Sequence, residues 1–469
     1  MSFRKNVLSA LLSQGVSFLA MAAASLFIPR FLGVAEFGYW QLFLLYSGYV
    51  GIAHLGVNDG VYLRLGGVPR SEVDKREVVG EFLVSTLFQL LISIAMFAIS
   101  IATVPDGLRL FVMFATALYL VLSNATNFIG YLFQAMNETV LYSTSIMINR
   151  GLYLVAILIS LVIGIDDCRI FIGLYLACQG VSFAYCVFHF RDFLCWRNFD
   201  LKLAMKRGWL DIRAGSKLMV ANFASSFVLN AAKFAVDLRW GVSVFSVISF
   251  ALTLGTFFLS FVNQVAMVLF PALRGYGEHE LRGQYLKLRN VLGCVLPIMY
   301  VAYFPLAAII SWWLPAYKES VEMLPLILPI CLFDSKMSIL SNTFYKVTRR
   351  ENVLLKLNII ACSLSVIGCA FGVFVLGNPI AVVASVVIAI IVRSILSDFY
   401  QARVYRFSAL RDVVIEVVFT VVFCAAALLH DTSIAMIIVV FSYVVYLAIN
   451  PNYRREFRQL LPSRNGSRV

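Results

Sequence analysis

Four cations, Arg150, Lys233, Lys336 and Arg393, lie inside long apolar stretches of this 469-residue chain. A charged side chain at the centre of a bilayer costs at least about 2.5 kcal/mol unless it faces water or a partner, so a chain that keeps four of them points to a use for them. Arg presents a planar fork of donors and Lys a compact point charge, and both suit a phosphate or diphosphate group. Arg150 follows Asn149 and has no acid near it in its own stretch, which makes it the first candidate for facing a cavity. Lys233 stands one helical turn before Asp237 and could pair with it or reach toward the surface. Lys336 lies close in sequence to Asp334 and Arg393 to Asp398, and carboxylates on neighbouring helices could neutralise both cations.

Uncharged polar residues form a second set of candidates. Asn222 and Asn230 share one helical face, and Asn230 leads to Lys233 along it; Asn263 and Gln264 follow in the next span, and Asn124 and Asn127 sit in an earlier one. Amides of this kind bind sugars, although hydrogen bonding between helices is the commoner use of a single Asn in a membrane. His54 and Asp59 sit near the inner end of the second span, beside Asn58 and Arg64. Asp59 could titrate or bind a cation, as could Asp237, or Asp59 and Arg64 could form a gate or an interfacial ion pair; the structural reading is favoured for the last pair.

The elements that must position these residues are membrane helices. A span needs roughly 20 apolar residues to cross a hydrocarbon core of about 30 Å. Such segments recur at 7 to 29, 38 to 62, 78 to 104, 108 to 133, 140 to 164, 170 to 190, 215 to 236, 243 to 272, 286 to 313, 321 to 345, 353 to 377, 380 to 402, 412 to 429 and 433 to 449. The runs are continuous and too long for tilted β-strands, so the expected class is an all-α polytopic membrane protein of about 14 helices. Pro297, Pro305, Pro325 and Pro329 fall inside spans and predict kinks. Trp40, Trp312 and Trp313 read as interfacial anchors.

Composition agrees, with 61% hydrophobic and only 13% charged residues. The net charge of +13 does not imply nucleic acid, because the cations cluster between spans instead of covering one polar face. Of the 38 Lys and Arg, 29 fall at the two ends or in alternate connections, which places both termini in the cytoplasm. The nine Cys are scattered without CxxC pairs or His at ligand spacing; they read as packing residues, and no metal or other cofactor is expected. The N-terminal apolar run lacks an obvious cleavage site and reads as an uncleaved first span.

The chain also repeats itself. Ile28-Pro29-Arg30-Phe31-Leu32-Gly33-Val34-Ala35-Glu36-Phe37 can be laid over Val236-Asp237-Leu238-Arg239-Trp240-Gly241-Val242-Ser243-Val244-Phe245, and the stretch from Tyr131 to Gly164 over that from Phe344 to Gly377. With six spans per half, the repeats run parallel, which predicts a pseudo-two-fold axis along the membrane normal and a central cleft. The expected divisions are an N-lobe at 1 to 190, a basic cytoplasmic linker at 191 to 214, a C-lobe at 215 to 404, two extra spans at 405 to 449 and a basic tail at 450 to 469. Spans one, two, seven and eight would line the cleft, with thirteen and fourteen outside it.

These patterns carry a family resemblance. The segments Ile28 to Tyr39, Gly51-Ile52-Ala53-His54-Leu55-Gly56-Val57-Asn58-Asp59-Gly60 and Val236-Asp237-Leu238-Arg239-Trp240-Gly241, on a six-plus-six plan with a basic linker, resemble polysaccharide flippases of the multidrug, oligosaccharidyl-lipid and polysaccharide exporter superfamily. The resemblance implies movement of undecaprenyl-diphosphate-linked repeat units for O-antigen, capsule or exopolysaccharide synthesis across the bacterial inner membrane, by alternating access. It also implies membrane lipids, and polymerase and chain-length proteins of the same pathway, as partners. The two extra spans resemble those of the related lipid II flippases. A cation-coupled multidrug antiporter of the same superfamily is the alternative, although its cationic substrates would favour buried acids over buried Arg and Lys. A sugar-repeat polymerase is less supported, because the outer loops are short and carry no nucleophile or phosphate-loop motif.

Overall fold

The computed structural model describes residues 3–194, 200–273, 278–429 and 431–460, without the side chains of 3–8, 10, 261, 263–272, 278–279 and 457–460. Every regular element among the described residues is a helix. The chain divides into two compact units, 1–226 and 227–469.

The first unit contains α1 (Phe3–Phe31), α2 (Val34–Ser47), a 3-10 turn (Val50–His54), α3 (Val57–Leu65), α4 (Lys75–Thr103), α5 (Gly107–Ala135), α6 (Thr139–Ile163), α7 (Cys168–Leu194) and the first part of α8 (Leu201–Leu273). Helix α5 is the centre, touching α2, α3, α4, α6 and α7, while α1 lies along α6. The rest of α8 belongs to the second unit, followed by α9 (Glu278–Val295), α10 (Ile298–Trp313), α11 (Lys318–Lys336), a π-helical turn (Met337–Asn342), α12 (Thr343–Val347), α13 (Glu351–Phe371), α14 (Pro379–Tyr405), α15 (Leu410–Ala427), α16 (Thr432–Ile449) and α17 (Pro451–Leu460). Here α11 packs on α14 and α15, and α10 on α16, so the two extra spans are fastened to the second unit.

Surface character agrees with a multi-pass membrane protein. Helix α4 exposes Leu83, Leu87, Leu90, Leu91 and Ile94 while burying Glu81, Gln89, Ser93 and Ser100. An apolar outside over a polar inside suits hydrocarbon, not water. The buried Ser93 hydroxyl donates to the Ala117 carbonyl of α5 at 2.7 Å, which removes an unsatisfied group from the membrane interior.

Among the described residues, eleven helical stretches are long and apolar enough to span a membrane. Three places account for the difference from the fourteen expected spans. The second span is broken in its middle, as described below. Spans seven and eight form one helical run, interrupted only by the backbone of Gly241 at φ 76°. Helix α15 carries Arg411, Asp412 and Glu416 in 18 residues. The stretch expected as a linker is helical from Leu201 onward and runs directly into span seven.

The repeat is visible in the backbone. Gly33 ends the first turn of the chain as the extended N-cap of α2, and Gly241 breaks α8 at the aligned position. Gly164 and Gly377, also aligned, both close helical segments in the left-handed conformation. Pro297 separates α9 from α10 and therefore divides the expected ninth span, whereas Pro305, Pro325 and Pro329 stay inside helices. Trp312 is 78% exposed, as an anchor should be, but Trp40 is 1% exposed and packs within the core beside Tyr153 and Tyr175.

Candidate functional site

The break in the second span builds a polar site. Between α2 and α3 the chain tightens into the 3-10 turn, and then Leu55 (φ 51°) and Gly56 (φ 93°) both take the left-handed conformation. Bulky residues seldom adopt it, and Gly56 makes the reversal possible. A broken helix in a membrane leaves backbone groups that need partners. Asn124 of α5 supplies one, donating its amide to the Val50 carbonyl at 2.9 Å, and the Asn58 amide donates to the Asn124 carbonyl at 3.4 Å. The Gly56 N–H donates to His54 Nδ1 at 2.9 Å, so a neutral His54 ring carries its proton on Nε2.

The result is a cavity of about 250 Å³ lined by His54, Asp59, Asn127 and Tyr131 together with Asn222 and Ser226 of α8, and also by Gly51 and Phe223. Asp59 is 8% exposed. It lies in the first turn of α3, where the helix dipole favours a negative charge. The cavity thus offers a carboxylate, an imidazole, two amides and two hydroxyls, a set able to hold a hydrated or organic cation, a proton or a sugar hydroxyl.

Beneath it, α3 is clamped to α8. A Cβ on Gly56 would lie 2.5 Å from the Ser216 nitrogen, and one on Gly215 would lie 2.6 Å from the Gly60 nitrogen, so the two backbones are in contact. Arg64, at the end of α3, bonds Glu77 at 2.9 Å, Glu81 at 2.6 Å and Asp211 at 2.9 Å, while Arg207 reaches Glu77 at 3.0 Å. The partner of Arg64 is therefore not Asp59 but this acidic trio from α4 and α8. Sequence reasoning missed the clamp, although the small-xxx-small spacing of Gly56 and Gly60 signals close helix contact.

The four cations divide into two classes. Arg150 is half-buried on α6; its guanidinium donates to the Tyr175 hydroxyl at 3.0 Å and stands 5.5 Å from that ring's centre, in an aromatic group that includes Tyr153 and Tyr119. Among the described residues it has no carboxylate partner, and it does not line the His54–Asp59 cavity. Lys233 is 9% exposed, without an ion pair among the described residues even though Asp237 lies one turn on. Lys336, by contrast, is buried between Asp398 at 2.6 Å and Glu416 at 2.7 Å, and Arg393 bonds Asp334 and the Asn358 amide oxygen. The sequence neighbours are exchanged: Lys336 takes the acid nearest Arg393, and Arg393 the acid nearest Lys336. Both cations are neutralised, so their charge is already used within the protein.

Of the other candidates, Asn230 and Asp237 lie on α8 in the second unit, each with interactions of its own. Asn263 and Gln264 fall outside the described side chains. Eight cysteines are described and all are free thiols. Glu36, Asp167 and Cys168 bring their donor atoms within 4.8 Å of one another, but Glu36 Oε2 accepts from the Cys168 N–H at 3.0 Å and so caps the start of α7.

No protein-family model and no curated protein sequence matches the chain. Solved structures do. A lipid II flippase, MurJ, in an inward closed conformation matches with a TM-score of 0.66 at 14% identity, over 97% of this chain and 99% of that one. An inward-facing multidrug resistance transporter of the MATE family in the MOP superfamily matches with a TM-score of 0.54 at 14% identity, over 84% of this chain and 94% of that one. A MATE structure in complex with MaD5 gives 0.53 at 13% identity. The chain therefore has the fold that these transport proteins share.

Proposed function

We propose that this protein is a flippase of the MOP superfamily that moves a polyprenyl-diphosphate-linked saccharide across the bacterial inner membrane by alternating access, with both termini cytoplasmic. The observation that carries this reading is the whole-length match to a lipid II flippase structure. At 97% coverage, too little of the chain is left over to omit α15 and α16, whereas the MATE match covers 84%. The undecaprenyl-linked repeat unit of O-antigen, capsule or exopolysaccharide synthesis, as opposed to another lipid-linked sugar, rests on the sequence resemblance.

Arg150 of the first unit supplies positive charge for the diphosphate, because no carboxylate among the described residues holds it. An Arg–Tyr175 contact is easily exchanged for a stronger charge-assisted bond to phosphate oxygens. Asn127, Asn222 and the Tyr131 hydroxyl offer sugar contacts, and His54 and Asp59 a proton or cation to couple or gate the cycle. Lys336 and Arg393 hold the second unit together. The buried carboxylate of Asp59 also favours the second reading, a cation-coupled multidrug antiporter.

Proteoliposomes containing a fluorescent polyprenyl-diphosphate disaccharide test the proposal. The unaltered chain should expose inner-leaflet label to an external quencher faster than empty vesicles. Arg150→Ala, reconstituted to equal density, should slow this at least about tenfold, the loss of one charge-assisted contact, and Arg150→Lys should keep part of it. No acceleration by the unaltered chain, together with proton- or sodium-driven exchange of an organic cation, would overturn the flippase reading in favour of the antiporter.

A further inference from the structure

The first turns of α8 have three distinct faces. Ala204, Asp211 and Gly215, spaced seven and four residues apart, turn inward, with Ala204 and Asp211 buried and Gly215 against the backbone of α3. Leu201, Met205, Trp209 and Ile212 form an adjoining apolar face, on which Trp209 is 66% exposed. Beside it Lys202, Lys206, Arg213 and Lys217 form a stripe of cations, all exposed. Arg207 alone among the cations of residues 201–217 points elsewhere, into the Glu77 contact.

The apolar face does not end in empty surface. It borders a cavity of about 200 Å³, walled by Val57, Val84, Phe88, Met205, Trp209 and Ile212, with Glu81 and His54 at its polar edge. The Glu81 side chain is fully buried and bonds Arg64 at 2.6 Å. Phe88 is itself exposed and belongs to the same outer surface of α4 as Leu87 and Leu91. The cavity is thus lined in part by the apolar flank of a membrane helix, while Lys206 and Arg213 follow its lining residues Met205 and Ile212 directly in the chain.

We propose that the first turns of α8, residues 201 to 217, bind an anionic phospholipid, with its head group on Lys202, Lys206, Arg213 and Lys217 and part of one acyl chain in the cavity beside Trp209. Charge complementarity selects an anionic over a zwitterionic lipid, and the apolar wall reached from α4 selects a lipid over a soluble anion. Because Asp211 of this helix is bonded to Arg64, the lipid would bear directly on the clamp between α8 and α3.

The experiment places the full-length chain in nanodiscs holding equal mole fractions of brominated-chain phosphatidylglycerol or brominated-chain phosphatidylcholine. Subtracting the fluorescence of Trp209→Phe isolates Trp209. Each cation near the surface favours an anionic lipid about fivefold, so quenching by phosphatidylglycerol should exceed that by phosphatidylcholine at least about threefold. The combined variant Lys202→Gln/Lys206→Gln/Arg213→Gln/Lys217→Gln should bring the ratio to one while phosphatidylcholine still quenches. On the unaltered chain, about 1 M salt should do the same, which keeps the test open if the variant fails to fold. Equal quenching by the two lipids, no quenching by either, or a preference that salt does not change would overturn the proposal.

Discussion

Replacing Arg64 with Met should destabilise the first unit, because Arg64 bridges three carboxylates. The Glu81 side chain has 0% exposure and that of Asp211 has 4%, while Arg64 itself is 26% exposed. Breaking a buried ion pair by removing one partner costs about 3 to 5 kcal/mol, since the abandoned carboxylate keeps its desolvation penalty. Solvent around Arg64 screens part of the attraction, so about 3 kcal/mol is the reasoned value. For a unit of this size that corresponds to a fall in Tm of about 6 °C or more. The measurement is thermal unfolding in one detergent at one scan rate, because membrane proteins seldom unfold reversibly. The mechanism makes a second demand. If the cost arises from uncompensated carboxylates, Arg64→Met/Glu81→Gln/Asp211→Asn, which removes them, should recover more than half of the loss. An Arg64→Met protein melting within about 1 °C of the unaltered chain, or a triple variant no more stable than the single one, would show that stranded carboxylates do not set the cost.

Two further outcomes follow from the packing. Gly215→Ala places a methyl 2.6 Å from the Gly60 nitrogen, and since neither backbone can yield without moving a helix, overpacking should cost about 1 to 3 kcal/mol, whereas Gly208→Ala, with open space at its Cβ, should leave Tm nearly unchanged. Lys336→Met should sharply reduce the yield of folded protein by stranding Asp398 and Glu416, and Lys336→Met/Asp398→Asn/Glu416→Gln should restore it; monodisperse protein on size-exclusion chromatography is the readout, and equal yields for the two variants would count against a structural role.

The class of molecule, the helical architecture and the places where it repeats were legible in the amino-acid sequence. Hydropathy over about 20 residues, the distribution of Lys and Arg between spans and the punctuation by Gly are properties of short stretches, and the bilayer imposes them on each stretch separately. Hence Gly33 and Gly241, and Gly164 and Gly377, fall where helices break or end. The buried cations were equally visible, because a charge in an apolar run stands out wherever its partner lies. What those cations meet was decided only by tertiary structure. Lys336 bonds Asp398 and Glu416, and Arg393 bonds Asp334, pairings across helices that no helical spacing encodes. The same holds for the second span, whose composition reads as one helix but which breaks at Leu55 and Gly56 because Asn124, far away in sequence, can satisfy the freed Val50 carbonyl. It is that break, and the contact of Gly56 and Gly60 with Gly215, that brings His54, Asp59 and Asn222 around one cavity.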